Sequence, residues 1–205
     1  MGWLGADAAQ VAQVAVVAVV CFLLGSVNPA SLVARALGRD LLTSGSGNPG
    51  ATNAGRVLGR KWGVLVLVLD LLKAYLPTVV VLRTMGTVPA LVAGLAVVLG
   101  HVFSPLLRGR GGKAAACALG AVLAVEPWVG LAAVVGFGVA KAVLPFVGEA
   151  SVVTAIGLGL VGVLGVLGLA PFLGPLVGAW LVALSLLVLS RHRRNIVAWW
   201  SRRTR

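Results

Sequence analysis

The sequence predicts an all-α integral membrane protein with about seven transmembrane helices, its N-terminus outside and its C-terminus in the cytoplasm. Composition, apolar run length and the placement of Lys and Arg carry this expectation. The chain has 205 residues, of which 60% are hydrophobic and 11% charged, with a mean hydropathy of +1.06. Soluble domains are about half apolar and about a quarter charged. Too few polar residues remain here to face water, so lipid must cover much of the surface. The length suits a single domain over 1–205.

A spanning helix needs roughly 20 mostly apolar residues. Seven segments approach that standard, at about 9–36, 62–82, 86–107, 113–126, 128–147, 151–169 and 171–190. The first contains Pro29, which predicts a kink. The fourth is short. Val, Leu, Ala and 28 Gly dominate, a composition that allows close helix approach. The period-2 alternation of a membrane barrel is absent.

Orientation follows from the 17 Lys and Arg. Odd-numbered segments are given cytoplasmic C-terminal ends. One face then carries Arg35, Arg39, Arg56, Arg60, Lys61, Arg108, Arg110 and Lys113. It also carries the tail arginines Arg191, Arg193, Arg194, Arg202, Arg203 and Arg205. Only Arg83 falls on the other face, while Lys73 and Lys141 lie within segments. The net charge of +12 is therefore read as topology charge that also faces anionic lipid, not as a nucleic-acid surface. Trp3, Trp62, Trp128, Trp199 and Trp200 fall near segment ends, where interfacial anchoring is the ordinary reading; Trp180 is the exception. Residues 1–10 hold Asp7 and no basic start, and no A-x-A exit follows, so no cleavable signal is expected.

The polar chemistry concentrates in what read as three loops and a tail on the cytoplasmic face. The first runs Ser44-Gly45-Ser46-Gly47-Asn48-Pro49-Gly50-Ala51-Thr52-Asn53. The second runs Gly100-His101-Val102-Phe103-Ser104-Pro105, then Arg108-Gly109-Arg110-Gly111-Gly112-Lys113. The third is Gly148-Glu149-Ala150-Ser151, and the tail is Arg191-His192-Arg193-Arg194-Asn195-Ile196. Glycine lets backbone N–H groups approach an oxyanion, and successive N–H groups form an anion nest. Lys113 is expected to open a helix directly after two glycines, which suits phosphate. The spacing is not that of a P-loop, since residue 114 is alanine.

Other polar residues read as structural. Asp70 and Lys73 lie one turn apart and are expected to neutralise each other within the membrane. Glu126 falls in an outer loop, and Cys21 and Cys117 read as small core residues. Five scattered acids give no carboxylate cluster for Mg²⁺ or Ca²⁺, so no metal is expected. Residues 106 and 197 are Leu and Val, so neither histidine is followed by an Asp five positions on. No Ser-His-acid triad is assignable.

Together, S-G-S-G-N-P-G-A-T-N (44–53), G-H-V-F-S-P…R-G-G-K (100–113) and R-H-R-R-N-I (191–196) resemble the bacterial acyl-phosphate-dependent glycerol-3-phosphate acyltransferases, as do L-G-S-V-N-P (24–29) and D-L-L-K-A (70–74). The resemblance implies a seven-helix enzyme of the bacterial plasma membrane, multi-pass, with a cytoplasmic site and no cofactor. It implies acyl transfer from acyl phosphate to the 1-hydroxyl of glycerol 3-phosphate, giving lysophosphatidic acid for phospholipid synthesis. Substrate contacts would come from Gly45, Ser46, Gly47, Asn48, Asn53, Arg56, His101, Gly111, Gly112, Lys113, Ser151, His192 and Asn195. In this assignment the glycines and Ser46 take the acyl-phosphate phosphate, while Arg56, Lys113, His192 and Asn195 take glycerol 3-phosphate. His192, Lys113 and Ser46 are the catalytic candidates, and the proton goes to His192 or to the departing phosphate. The family pattern has glycine at 114, an aromatic residue at 109 and a V-S-L-x-S-I run near 147–152; here these are Ala114, Gly109 and Val147-Gly148-Glu149-Ala150-Ser151-Val152. Glu149 would weaken anion binding if it pointed inward. A small anion transporter and a catalytically impaired family member are the competing expectations.

Overall fold

The computed structural model describes residues 7–204, so Trp3 and Arg205 lie outside the described residues. Among them all regular secondary structure is helical, without strands. The described residues divide into two compact units, 7–112 with 116–125, and 113–115 with 126–204.

The first unit contains α1 (Ala8–Ser26), α2 (Pro29–Ala36), α3 (Ala51–Val57), α4 (Arg60–Met85), α5 (Thr87–Val102) and most of α6 (Ala115–Val125). Asp7 and Gln10 form a reciprocal capping box that starts α1. The expected kink is present as a two-residue interruption, Val27–Asn28, within one candidate span. Val27 ends α1, Asn28 caps α2 by accepting from Ser31 N–H at 2.8 Å, and Pro29 occupies the first helical turn. The α1–α5 seam is built on glycine. A Cβ at Gly25 would press into the backbone of Val97, and one at Gly100 into that of Phe22. Cys21 and Cys117 are both buried free thiols, as expected.

The second unit contains α7 (Pro127–Val143), α8 (Val147–Val166), α9 (Pro175–Arg191) and α10 (Arg193–Arg203). Gly162, Gly165 and Gly178 bring α8 and α9 into backbone contact, and Ser185 Oγ donates to Ala155 O at 2.6 Å. Between α7 and α8 lies an apolar groove of about 490 Å³, lined among others by Ala132, Gly136, Thr154, Gly157, Leu158 and Phe172.

Each of the seven expected segments carries helix, but four are long and apolar enough to cross a membrane: 8–36, 60–85, 87–107 and 147–166. A fifth arises if α9 and α10, bent by 66°, form one broken span. Helices α6 and α7 are shorter apolar helices. One loop, the tail and one helix start need correction. Residues 148–151 form the first turn of α8, and the tail is the end of α9 and the start of α10. Lys113 does not open a helix, because Ala114 takes φ +61° and α6 begins at Ala115. Glu126 is the single non-helical residue between α6 and α7, at the N-cap position of α7.

Candidate functional site

In the first unit the loop at 44–53 is organised by Asn53, which is 1% exposed. Its Nδ2 donates to Leu41 O at 3.2 Å and Ser44 O at 2.9 Å, and its Oδ1 accepts from Ser46 N–H at 2.9 Å. That side chain is committed to shaping the loop. Gly45 and Gly47 take φ +62° and +69°, where a side chain is strained. Ser46 and Gly45 are exposed, Gly47 and Asn48 half-buried, and Arg56 is exposed on α3.

The second motif folds back on the end of α5. Pro105–Leu107 form a single 3-10 turn, followed by Arg108 and Gly109 at φ +52° and +75°. Ser104 Oγ donates to Ser26 O at 2.7 Å, and Gly112 N–H donates to His101 O at 3.1 Å. Added Cβ atoms at Gly111 and Gly112 would run into the His101 and Val102 carbonyls and the His101 ring. Only glycine fits this hairpin.

His101 is buried in an ionic cluster. Lys73 Nζ lies 2.9 Å from Asp70 Oδ1 and donates to His101 Nδ1 at 2.8 Å. The same ammonium donates to Val27 O at 2.9 Å and Gly25 O at 3.3 Å, carbonyls released by the α1–α2 break. The expected Asp70–Lys73 pair is therefore present and has two further duties. Cys117 Sγ donates to Asp70 O at 3.1 Å. Asp70, His101 and Cys117 offer ligand atoms within 4.8 Å of one another. The fit to a metal is poor, because the Lys73 ammonium already binds the Asp70 and His101 atoms a cation would need.

In the second unit, Lys113, Asn195, Gly148 and His192 come together. Lys113 Nζ donates to Asn195 Oδ1. Gly148, in the first turn of α8, packs directly on the Asn195 amide. His192 lies between α9 and α10, outside both, and is 3% exposed. Its Nδ1 is 2.8 Å from Val188 O. A carbonyl only accepts, so Nδ1 carries the proton and Nε2 keeps a lone pair. Burial pushes the His192 pKa below its ordinary value; the Val188 bond opposes this and the nearby Lys113 charge adds to it. The imidazole is therefore neutral near pH 7. Ser151 is buried, and its hydroxyl donates to Val147 O at 2.9 Å, one turn back.

Two arrangements escaped the sequence reading. Glu149, expected to threaten a phosphate site, is buried and ion-paired with Arg202, whose guanidinium lies 4.5 Å over the Phe146 ring. Lys73 serves the helix break as well as Asp70. Both depend on neighbours 46 to 53 residues away in sequence, beyond any local pattern.

Comparison with known proteins identifies the family. Residues 15–202 match the family described as glycerol-3-phosphate acyltransferase. The chain is 48% identical to a Geobacter metallireducens glycerol-3-phosphate acyltransferase over 85% of this chain and 88% of the relative. It is 45% identical to that of Aquifex aeolicus over 54% of this chain, and this match spans 58% of the relative's length. The fold resembles the crystal structure of PlsY (YgiH), an integral membrane glycerol 3-phosphate acyltransferase, in its glycerol 3-phosphate form. The TM-score is 0.84 and the identity 33%, covering 93% of this chain and 94% of that one. A second PlsY structure, in the lysophosphatidic acid form, matches with TM-score 0.80 and 32% identity over 93% of each chain. The several apolar helices and these matches make it a multi-pass membrane protein, and the chain belongs to the glycerol-3-phosphate acyltransferase family.

Proposed function

We propose that the protein transfers a fatty acyl group from acyl phosphate to the 1-hydroxyl of glycerol 3-phosphate, releasing inorganic phosphate. The observation that carries this is the Lys113–Asn195–His192 cluster, which pairs a cation with a buried neutral imidazole whose Nε2 is an acceptor. Acyl phosphate is already activated, so no covalent enzyme intermediate is needed. The glycerol 1-oxygen attacks the acyl carbonyl, the bond from that carbon to the phosphate oxygen breaks, and phosphate leaves. Lys113 offsets the charge gathering on the leaving oxygen. His192 Nε2 takes the hydroxyl proton.

The remaining assignments follow the motifs. Gly45, Ser46, Gly47, Asn48, Gly111 and Gly112 hold the acyl-phosphate phosphate through backbone N–H groups and the Ser46 hydroxyl. In the second unit Lys113 and Asn195 hold the glycerol 3-phosphate phosphate; in the first, Arg56 is assigned to the same substrate by its motif alone, and His101 and Asn53 keep their loops in shape. Ser151 lies one turn before the α7–α8 groove, which suits the acyl chain; Gly136 and Gly157 face open space there. The bias of Lys and Arg to one face supports a cytoplasmic site at a bacterial plasma membrane, with the N-terminus outside.

Purified protein in micelles, given glycerol 3-phosphate with acyl phosphate or acyl-CoA, tests the reading. Lysophosphatidate is expected from acyl phosphate alone. Product from acyl-CoA alone overturns the donor assignment. No product from either donor, with anion uptake in liposomes, favours a transporter. For the base, near-normal turnover in His192→Ala would rule out the histidine and leave the departing phosphate as proton acceptor.

A further inference from the structure

Glu149 is a departure from the family pattern, and its surroundings give it a task. It stands in the first turn of α8 and is 2% exposed, with Oε1 bonded to Arg202 and Oε2 buried without a partner. Arg202 is on α10, its side chain 46% exposed and its guanidinium face on Phe146, the N-cap residue of α8. Beside Glu149, Gly148 carries no side chain. A Cβ there would collide with the Asn195 amide, whose Cγ would be 2.7 Å away. Asn195 and Arg202 are seven residues apart on α10, so they share one helix face. The first turn of α8 thus holds α10 twice, through Gly148–Asn195 and through Glu149–Arg202.

We infer that the Glu149–Arg202 ion pair is a latch that docks α10 on the start of α8, so that Asn195 is held ready for Lys113. Glu149 and Arg202 are positioning residues, and their effect on catalysis passes through Asn195. Two partners of unequal burial make the latch lopsided. Losing Arg202 strands a buried carboxylate, whereas losing Glu149 frees an arginine that water already reaches. The latch also explains why an acid is tolerated beside this cluster, since its charge is matched by Arg202 and not by the substrate-binding cation. The kinetic consequence rests on the acyl-transfer reading; the docking does not.

The test is hydrogen exchange over residues 193–203 in micelles, together with KM and kcat for glycerol 3-phosphate. Arg202→Ala is expected to speed exchange in α10 and raise KM for glycerol 3-phosphate by about tenfold, a size set by one charged hydrogen bond, with a smaller change in kcat. Glu149→Gln should do less. The double variant should be milder than Arg202→Ala, because no charge is then stranded. Arg202→Lys keeps charge but loses the planar contact with Phe146, and should fall between wild type and Arg202→Ala. It also serves if Arg202→Ala does not fold. Unchanged α10 exchange in Glu149→Gln and Arg202→Lys would overturn the latch. Faster exchange in a protein whose wild type makes no lysophosphatidate would support the latch and sink the acyl-transfer reading.

Discussion

Lys73 and Lys113 each bring an ammonium among buried polar groups, and their partners set them apart. Lys73 meets a carboxylate, an imidazole and two carbonyls from a broken helix. Its charge is consumed in holding the first unit together. Lys113 meets the neutral amide of Asn195, with His192 close enough for its charge to lower that histidine's pKa. On the acyl-transfer reading proposed above, Lys73 supports structure in the low-dielectric interior and Lys113 serves the substrate anion.

This contrast can be broken in order of expected effect. Asp70→Asn leaves Lys73 without its counter-charge among buried carbonyls. It should cost about 3–5 kcal/mol of stability, read as a fall in thermal midpoint, and Asp70→Asn with Lys73→Met should recover part of that loss. Lys113→Ala should leave the midpoint nearly unchanged and lower kcat/KM roughly 10²–10³-fold. If the two phenotypes exchange places, the comparison fails. Asn53→Ala removes the bonds that shape the 44–53 loop. It should raise the KM for acyl phosphate and cost about 1–3 kcal/mol, measured by denaturation alongside kinetics.

The pH dependence tests the same distinction. His192 has a lowered pKa, so it is neutral at pH 7 and charges only as pH falls below the ordinary histidine range. Activity should be flat across neutral pH and drop on the acid side, with the acid limb lost in His192→Ala. The smallest effect concerns Ala114. At φ +61° alanine is strained by about 1–2 kcal/mol where the family pattern has glycine, so Ala114→Gly should stabilise the protein by about that much. A loss of stability there would mean the backbone does not hold this turn in solution.

Much of the fold was legible because its signals are local. Apolar runs announced the helices, and Asp70–Lys73 announced itself by one-turn spacing. Pro29 marked the break, though it could not reveal that Lys73 would satisfy the freed carbonyls from another helix. The site was partly legible. The glycine hairpin at Gly111 and Gly112 was legible from residue type, yet the helix start moved by two residues, because hydrophobicity does not report the positive φ of Ala114. Residues 148–151 read as a loop because Gly-Glu interrupts the apolar pattern, whereas the first turn of α8 hides that glutamate against Arg202.

By itself the sequence determined the class of protein, the order of its helices and the motifs that place it in its family. All of these depend on residue type and spacing along the chain. The tertiary structure decided which lysine is spent on structure, which nitrogen of His192 is left to accept a proton, and where the charge of Glu149 goes. Each of these depends on the partner a polar group meets after folding, and a buried polar group takes its chemistry from that partner.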